Sequence, residues 1–157
     1  MNEIELFFHA IQSGNKTNVE AQLKRNPDLV NVKDTRGFTP LIFATYFDKE
    51  DIAKSLIEHK APIDARDASG NTALIGVSFK GNESLATYLI EHGADVNAVN
   101  NNGTTSLIFA AMYNQINSLK LLLSKKADGT IKDNEGKTAL QHAQQKGFND
   151  IIDLLQK

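Results

Sequence analysis

Four histidines are the side chains in this sequence best suited to metal binding or to acid–base chemistry near neutral pH. His59 and His92 occupy the same position in successive copies of an internal repeat. Neighbouring repeats should place two such rings about 10 Å apart, whereas shared ligation of one metal ion needs about 2 Å from each ring. His9 and His142 have no carboxylate at ligand spacing. We therefore predict no metal site.

The sequence motifs that usually mark an active site are missing. There is no Gly-x-x-x-x-Gly-Lys phosphate loop, no His-Glu-x-x-His, no nucleophile elbow and no cysteine. The pair Glu50-Asp51 suits the first turn of a helix and the pair Lys125-Lys126 suits a last turn, because both then favour the helix dipole. We predict that the chain has no catalytic residue, binds no cofactor and is not an enzyme.

The charge balance and the hydropathy argue against nucleic-acid binding and against a membrane protein. The 157 residues carry 17 basic and 19 acidic side chains, a net charge of −2, which argues against a broad basic surface for nucleic acid. No apolar run approaches the ~18 residues of a membrane span. The start of the chain is acidic at Glu3 and Glu5, unlike a signal peptide. We expect a cytoplasmic protein that binds neither nucleic acid nor membrane.

The elements that would position any site are given by an internal repeat. The signal Gly-x-Thr-x-Leu occurs four times at one constant spacing, with its glycines at Gly37, Gly70, Gly103 and Gly136. A period of about 33 residues, kept without insertions, indicates stacked supersecondary units, each burying the apolar face of the next. The sequence therefore predicts a stack of repeats rather than one globular core.

Each position of the repeat predicts a local structure. The segment 34–37 has the composition of a hairpin tip, Thr39 can cap a helix through its hydroxyl, and Pro40 suits the first helical position. A second helix follows a tight link, where one position of the repeat holds only residue types that tolerate a left-handed backbone. That position reads Asp48, Gly81, Asn114 and Gly147.

These residues closely resemble the ankyrin repeat family, whose pattern runs Asp-x-x-Gly-x-Thr-Pro-Leu-His and ends in Gly-Ala-Asp-Val-Asn, as residues 93–97 do. The resemblance covers nearly the whole chain and implies an all-α ankyrin-repeat solenoid of stacked helix-turn-helix units joined by β-hairpin-like loops. We expect a single domain over 1–157, with polar terminal repeats that make it complete. Its predicted parts are an N-terminal capping repeat 1–33, full repeats 34–66, 67–99 and 100–132, and a C-terminal capping repeat 133–157.

Several positions depart from the family pattern. The histidine after Thr-Pro-Leu is replaced by Ile42, Ile75, Ile108 and Gln141, which removes the ring's hydrogen bonds across the turn. Ser118 occupies a position of the repeat that is apolar in the other copies. Lys60 and Lys126 stand where a glycine usually ends the second helix. Each of these three could cost up to about 1 kcal/mol, so we predict that repeat 100–132 is the least stable.

The resemblance implies a module that binds another protein through a concave face, which hairpin tips and the ends of the first helices line. Those columns hold aromatic side chains, and aromatics are frequent anchors of protein interfaces. The alternative is that Phe47, Phe79 and Tyr113 pack inward between repeats. The predicted partner-binding residues are Arg36, Phe38, Tyr46, Phe47, Asn71, Phe79, Lys80, Asn102, Thr104, Met112, Tyr113 and Lys137.

Two other classes of function stay open at this point. The chain could be a structural unit that associates with itself through an edge or an aromatic face, although we expect a monomer. It could also bind or convert a small molecule, but the sequence contains no set of residues typical of such a site. The identity of the partner protein does not follow from the residues.

Overall fold

The computed structural model describes residues 1–157, and its regular elements are helices joined by turns and loops. Its ten α-helices and one short 3-10 turn confirm the all-α prediction, and β-structure is limited to one isolated bridge between Val99 and Thr105. The helices are α1 (Glu3–Gln12), α2 (Lys16–Arg25), α3 (Pro40–Tyr46), α4 (Glu50–Glu58), α5 (Ala73–Lys80), α6 (Glu83–Glu91), α7 (Ser106–Met112), α8 (Ile116–Ser124), α9 (Ala139–Lys146) and α10 (Asn149–Leu155), with the 3-10 turn at Pro27–Asn31.

The chain divides into two compact units, Met1–Ala73 and Leu74–Lys157. In the first unit α1 packs against α2 and α3, and α3 packs against α4. Large side chains from every one of these helices are fully buried there, among them Phe7, Leu23, Leu41 and Leu56. Burial of such a side chain stabilises the fold by about 1.5–3 kcal/mol. The first unit therefore has an apolar core of its own.

The second unit is built in the same way. Helix α7 packs against α8 and α9, and α10 packs against α8 and α9. The centre of its core is a cluster of buried aliphatic side chains: Leu107, Ile108, Ala110, Ala111, Leu119, Leu122, Ala139, Ala143 and Ile151. Four of these nine are alanines, and their small size lets the helix backbones approach closely.

The helices keep the period of the sequence repeat. In the four copies of the repeat, the first helices begin at 40, 73, 106 and 139, and the second helices begin at 50, 83, 116 and 149. The predicted threonine cap is confirmed, because the Thr39 Oγ1 accepts a hydrogen bond from the Ile42 N–H at 3.2 Å. Thr105 and Thr138 accept equivalent bonds. A cap of this kind satisfies an N–H that the helix itself leaves unpaired.

Hydrogen bonds also join neighbouring repeats within the second unit. The Asn134 N–H donates to the Asn102 carbonyl at 3.0 Å, and the Asn134 side-chain amide donates to the Asn101 carbonyl at 3.0 Å. One repeat earlier, the Gln115 amide donates to the Phe79 carbonyl at 3.0 Å. The last two repeats thus each satisfy backbone carbonyls of the repeat before them.

The link between the two helices is left-handed in all four copies, as predicted. The backbone φ is 58° at Asp48, 79° at Gly81, 56° at Asn114 and 71° at Gly147. The same conformation occurs after the second helices, at Lys60 (φ 70°) and Lys126 (φ 67°), where another copy has Gly93. A Cβ atom is unfavourable in this region of the map, so both lysines strain the chain.

Replacing Lys126 by glycine is expected to raise the free energy of unfolding by about 1 kcal/mol, because glycine adopts a positive φ without a Cβ clash. The lysine side chain is exposed, so little packing is lost. Chemical denaturation of the purified protein measures the effect. Lys125→Gly is the matched control, since the φ of Lys125 is −95° and glycine there should bring no gain. An equal gain in both variants would contradict the explanation.

Ser118 interrupts the apolar column of α8, as the sequence indicates. The residue is 1% exposed, and its hydroxyl has no hydrogen-bond partner. Ile116, on the same helix, packs against the core of the second unit. A buried hydroxyl without a partner has lost its hydration and gained nothing in exchange.

Ser118→Ala is therefore expected to raise the free energy of unfolding by about 1 kcal/mol. Thermal and urea unfolding both report this change. Ser124→Ala on the same helix is the control, because Ser124 is exposed and its hydroxyl donates to the Leu121 carbonyl at 2.6 Å. If Ser118→Ala destabilises the protein, the hydroxyl has a role that the packing does not reveal.

Candidate functional site

The hairpin tips are held by one repeated side-chain contact. In the first full repeat the Asp34 Oδ1 accepts hydrogen bonds from the N–H groups of Arg36 and Phe38, both at 2.9 Å. Asp67, Asn100 and Asp133 make the same two bonds to the residues two and four positions later, at 2.9–3.0 Å. This side-chain turn fixes the backbone of each tip, so the tips are rigid before any partner binds.

An aromatic cluster lies beside the first tip. The Tyr46 ring centroid is 5.4 Å from that of Phe38 and 5.0 Å from that of Phe47, and Phe47 is 4.7 Å from Phe43. Phe43 is buried, whereas Tyr46 is 53% exposed. The exposed Tyr46 ring therefore packs on Phe47, which in turn packs on the buried Phe43.

Arg36 completes this cluster from the hairpin tip. Its guanidinium lies 4.4 Å from the Phe38 ring centroid and 5.7 Å from that of Phe47. The same group donates to the Asp34 Oδ2 through Nε at 3.2 Å and through Nη2 at 3.0 Å. Stacking on rings and a two-point contact with a carboxylate both restrict the side chain, so Arg36 presents its outer edge in a fixed orientation.

A second aromatic cluster lies in the second unit. Phe79 and Tyr113 meet edge to face with ring centroids 4.5 Å apart, and Phe109 stands 5.9 Å from Phe79. Phe79 is 42% exposed and Tyr113 is 49% exposed. The two rings therefore pack against each other between adjacent repeats, as the alternative predicts, but each leaves nearly half of its surface in water.

The structure gives the predicted partner-binding residues different exposures. Arg36, Tyr46, Phe79, Lys80, Asn102 and Tyr113 are exposed, while Phe38, Phe47, Asn71, Met112 and Lys137 are half-buried. Met112 packs partly against the core of the second unit. The Lys137 Nζ donates to the Gln145 Oε1 at 3.0 Å. About half of the predicted set is therefore open to solvent and the rest is partly covered.

Thr104 is a correction to the predicted set. It is only 6% exposed, and its N–H donates to the Asn100 Oδ1 at 3.0 Å. The phenylalanine, asparagine and lysine at the equivalent positions are longer and reach the surface in part. The short threonine side chain does not, so Thr104 offers no contact surface to a partner.

Three of the four histidines have ordinary surroundings. His9 is exposed, and the Nδ1 atoms of His59 and His92 each lie 2.8 Å from the carbonyl oxygen four residues earlier. The His92 ring also stacks on Tyr88 at a centroid distance of 4.0 Å. No group of three or more His, Asp, Glu or Cys side chains is arranged to hold a metal ion.

His142 is different, and here the sequence-based expectation was wrong. Its Nε2 lies 2.6 Å from the Asp133 Oδ2, and the two side chains are 9% and 7% exposed. The expectation failed because these residues are nine positions apart and meet only when the tip folds back over α9. The usual histidine position holds Gln141, whose side chain instead accepts a hydrogen bond from the Thr138 N–H. The useful signal was a histidine in the column that otherwise holds Phe43, Gly76 and Phe109.

The pair shifts the titration of its acidic member. Burial raises the pKa of Asp133, but hydrogen bonds from the His142 ring and from the N–H groups of Lys137 and Glu135 outweigh it and leave the pKa below its ordinary value of 3.8. The folded state therefore prefers the ionised carboxylate. The pair joins the last tip to α9 and acts as a brace between them.

The free energy of unfolding should fall as the pH drops through and below about 4. The sign follows from the lowered pKa of Asp133: its contribution is complete above the unfolded value of 3.8 and is lost as the folded carboxylate takes up a proton. Urea unfolding between pH 7 and pH 3 measures the slope. Asp133→Asn keeps the turn acceptor but does not ionise, so its acid slope should be shallower. If the free energy of unfolding falls equally with pH in wild type and in Asp133→Asn, Asp133 is not the group responsible.

None of the ten helices combines the length and the hydropathy that a membrane span requires. A family model described as ankyrin repeats matches the chain in three copies, over residues 7–100 and 77–157. Together these ranges include both aromatic clusters and all four hairpin tips. No curated protein sequence matches the chain.

Proposed function

The chain belongs to the ankyrin repeat family, whose members are generally protein–protein interaction modules, and we propose that it binds a partner protein through its hairpin tips and the ends of its first helices. In family members these parts line the concave groove. Such modules are typically non-catalytic, and the proposed role is likewise binding without chemistry. The partner would be held by aromatic anchors within a polar rim.

The observation that carries this proposal is the position of the exposed aromatic rings. Tyr46, Phe79 and Tyr113 are the large aromatic side chains that are more than a third exposed, and all three stand at the ends of first helices. Exposed rings of this size leave apolar area in water that a partner could cover. They are also the residue types that contribute most at protein interfaces.

The rigidity of the surroundings supports the same proposal. Side-chain turns fix the tips, and Arg36 is held on both the Phe38 ring and the Asp34 carboxylate. A surface that is already ordered loses little conformational entropy on binding. Binding should therefore leave the backbone nearly unchanged.

Affinity capture from a lysate of the native host tests the proposal. The wild-type protein is compared with a triple variant, Tyr46→Ala, Phe79→Ala and Tyr113→Ala, that circular dichroism has shown to be folded. A control variant, Ile4→Ala, Leu6→Ala and Tyr88→Ala, removes exposed or half-exposed apolar side chains from other surfaces. We expect a protein that wild type and control enrich and the triple variant loses. An identical captured set from all three would refute binding through the aromatic clusters.

We further propose that the protein acts as a monomer in the cytoplasm. A molar mass of 17.2 kDa that does not change with concentration in light scattering would agree with this. A molar mass that rises with concentration in the wild type, but not in the aromatic triple variant, would instead favour self-association through the same rings. Microscopy of the tagged protein in its host reports the compartment.

A further inference from the structure

Charge is distributed unevenly over the proposed binding surface. At the four positions of the repeat assigned to tips and first-helix ends, the basic residues are Arg36, Lys80, Lys137 and Lys146, and Glu135 is the acidic one. These positions therefore carry +1 in the first unit and +2 in the second, although the protein as a whole carries −2. The remaining residues must carry −5.

The excess of positive charge persists when the rest of each tip is included. Two adjoining positions of the repeat hold three basic and three acidic residues, which cancel: Lys33, Arg66 and Lys132 against Asp34, Asp67 and Asp133. Those carboxylates accept turn hydrogen bonds, so they point into the tips. The first helices have no charged residue between their threonine caps and their ends, His142 aside.

Arg36 and Lys80 each adjoin exposed aromatic residues of their own unit. In the first unit the Arg36 guanidinium stacks on the cluster of Tyr46 and its side chain is 47% exposed. In the second unit Lys80 directly follows Phe79 in the chain, and Lys80 and Lys146 are exposed. Positive charge beside exposed rings favours a partner segment that combines carboxylates with an apolar side chain.

We propose that the partner contributes an acidic peptide segment, in which Asp or Glu residues flank an aromatic or large aliphatic anchor. This inference rests on the proposed function and specifies its partner. In the first unit Arg36 would receive a carboxylate on its outer edge. In the second unit the exposed Lys80 and Lys146 would attract the acidic segment. Attraction of this kind speeds encounter and excludes basic partners, and the negative remainder of the molecule disfavours nucleic acid as the polyanion.

Selection from a displayed library of random short peptides tests the charge and the anchor together. The enriched peptides should be net acidic and carry at least one aromatic or large aliphatic residue. A synthetic peptide of the enriched sequence is then titrated against the protein, beside a version with every Asp and Glu changed to Asn and Gln. The neutral version should bind at least about tenfold more weakly at low salt, and high salt should remove most of that difference.

Two charge-reversed variants test which basic residues attract the acidic peptide. Arg36→Glu, Lys80→Glu, Lys137→Glu and Lys146→Glu together should weaken binding of the acidic peptide by more than about tenfold. Lys24→Glu, Lys120→Glu, Lys125→Glu and Lys157→Glu change the net charge equally but on exposed residues outside this surface, and should have an effect within about twofold. Both variants must first give the wild-type circular dichroism spectrum.

The outcomes separate this inference from the function on which it rests. Enriched peptides that are neutral or basic, but still lost on the aromatic triple variant, would overturn the acidic segment and leave the binding surface intact. Peptides that bind the triple variant as well as wild type, or a selection that returns no binder, would overturn both. Competition by a single-stranded oligonucleotide as strong as that by the acidic peptide would also overturn the inference.

Discussion

Asp133→Ala is expected to lower the free energy of unfolding by about 3 kcal/mol, the largest effect on stability among the changes considered. The substitution removes the acceptor for the N–H groups of Glu135 and Lys137 and leaves the His142 ring buried without its partner. Breaking a buried charged contact from one side has a cost of this size, because the remaining polar group has lost both water and partner. Urea unfolding at pH 7 gives the value.

Asp67→Ala is the matched control for this prediction. Asp67 makes the same two turn bonds in an earlier repeat, but the position equivalent to His142 is Gly76. The difference between the two variants therefore isolates the contact with the histidine, and we expect it to exceed about 1 kcal/mol. If both variants lose the same stability, the pair with His142 contributes nothing beyond the turn.

Tyr46→Ala is expected to weaken binding of the captured partner by about 2 kcal/mol, or about 30-fold in Kd. The ring is half exposed yet supported by Phe38 and Phe47, so a partner can cover it at little cost in side-chain entropy. Isothermal titration or surface plasmon resonance with the purified partner measures the change.

Two further variants make this prediction specific. Tyr46→Phe keeps the ring and its packing and should retain most of the affinity, which separates apolar contact from the hydroxyl. Phe79→Ala tests the equivalent ring in the second unit. A change near zero at Tyr46, Phe79 and Tyr113 alike would remove the aromatic anchors from the model of binding.

Much of the fold could be predicted because the repeat restates the same local rules four times. A single threonine or glycine is weak evidence for a helix start or a left-handed link, but recurrence at a constant spacing is strong. The caps at Thr39, Thr105 and Thr138 and the positive φ at Asp48 and Asn114 follow from such columns. Local chemistry determines these features, so no knowledge of packing was needed.

The features that could not be predicted depend on the depth of a side chain or on contacts within a folded tip. Thr104 shares a column with Phe38 and Lys137, and the column alone does not reveal that a short side chain is covered while longer ones emerge. The contact of His142 with Asp133 arises in one copy only. A repeat pattern averages over copies and misses an interaction that only one of them makes.

The hydrogen bonds that cross from one repeat to the next have a consequence for how the second unit opens. If residues 133–157 detach, the carbonyls of Asn101 and Asn102 lose their donors, so fraying at that end also weakens the repeat before it. Opening is then cooperative between neighbours, and states with a single unravelled repeat are sparsely populated. Proteases in the cell cut partly open states of this kind. We therefore expect the hydrogen bonds between tips to slow proteolysis of the chain as well as to order its surface.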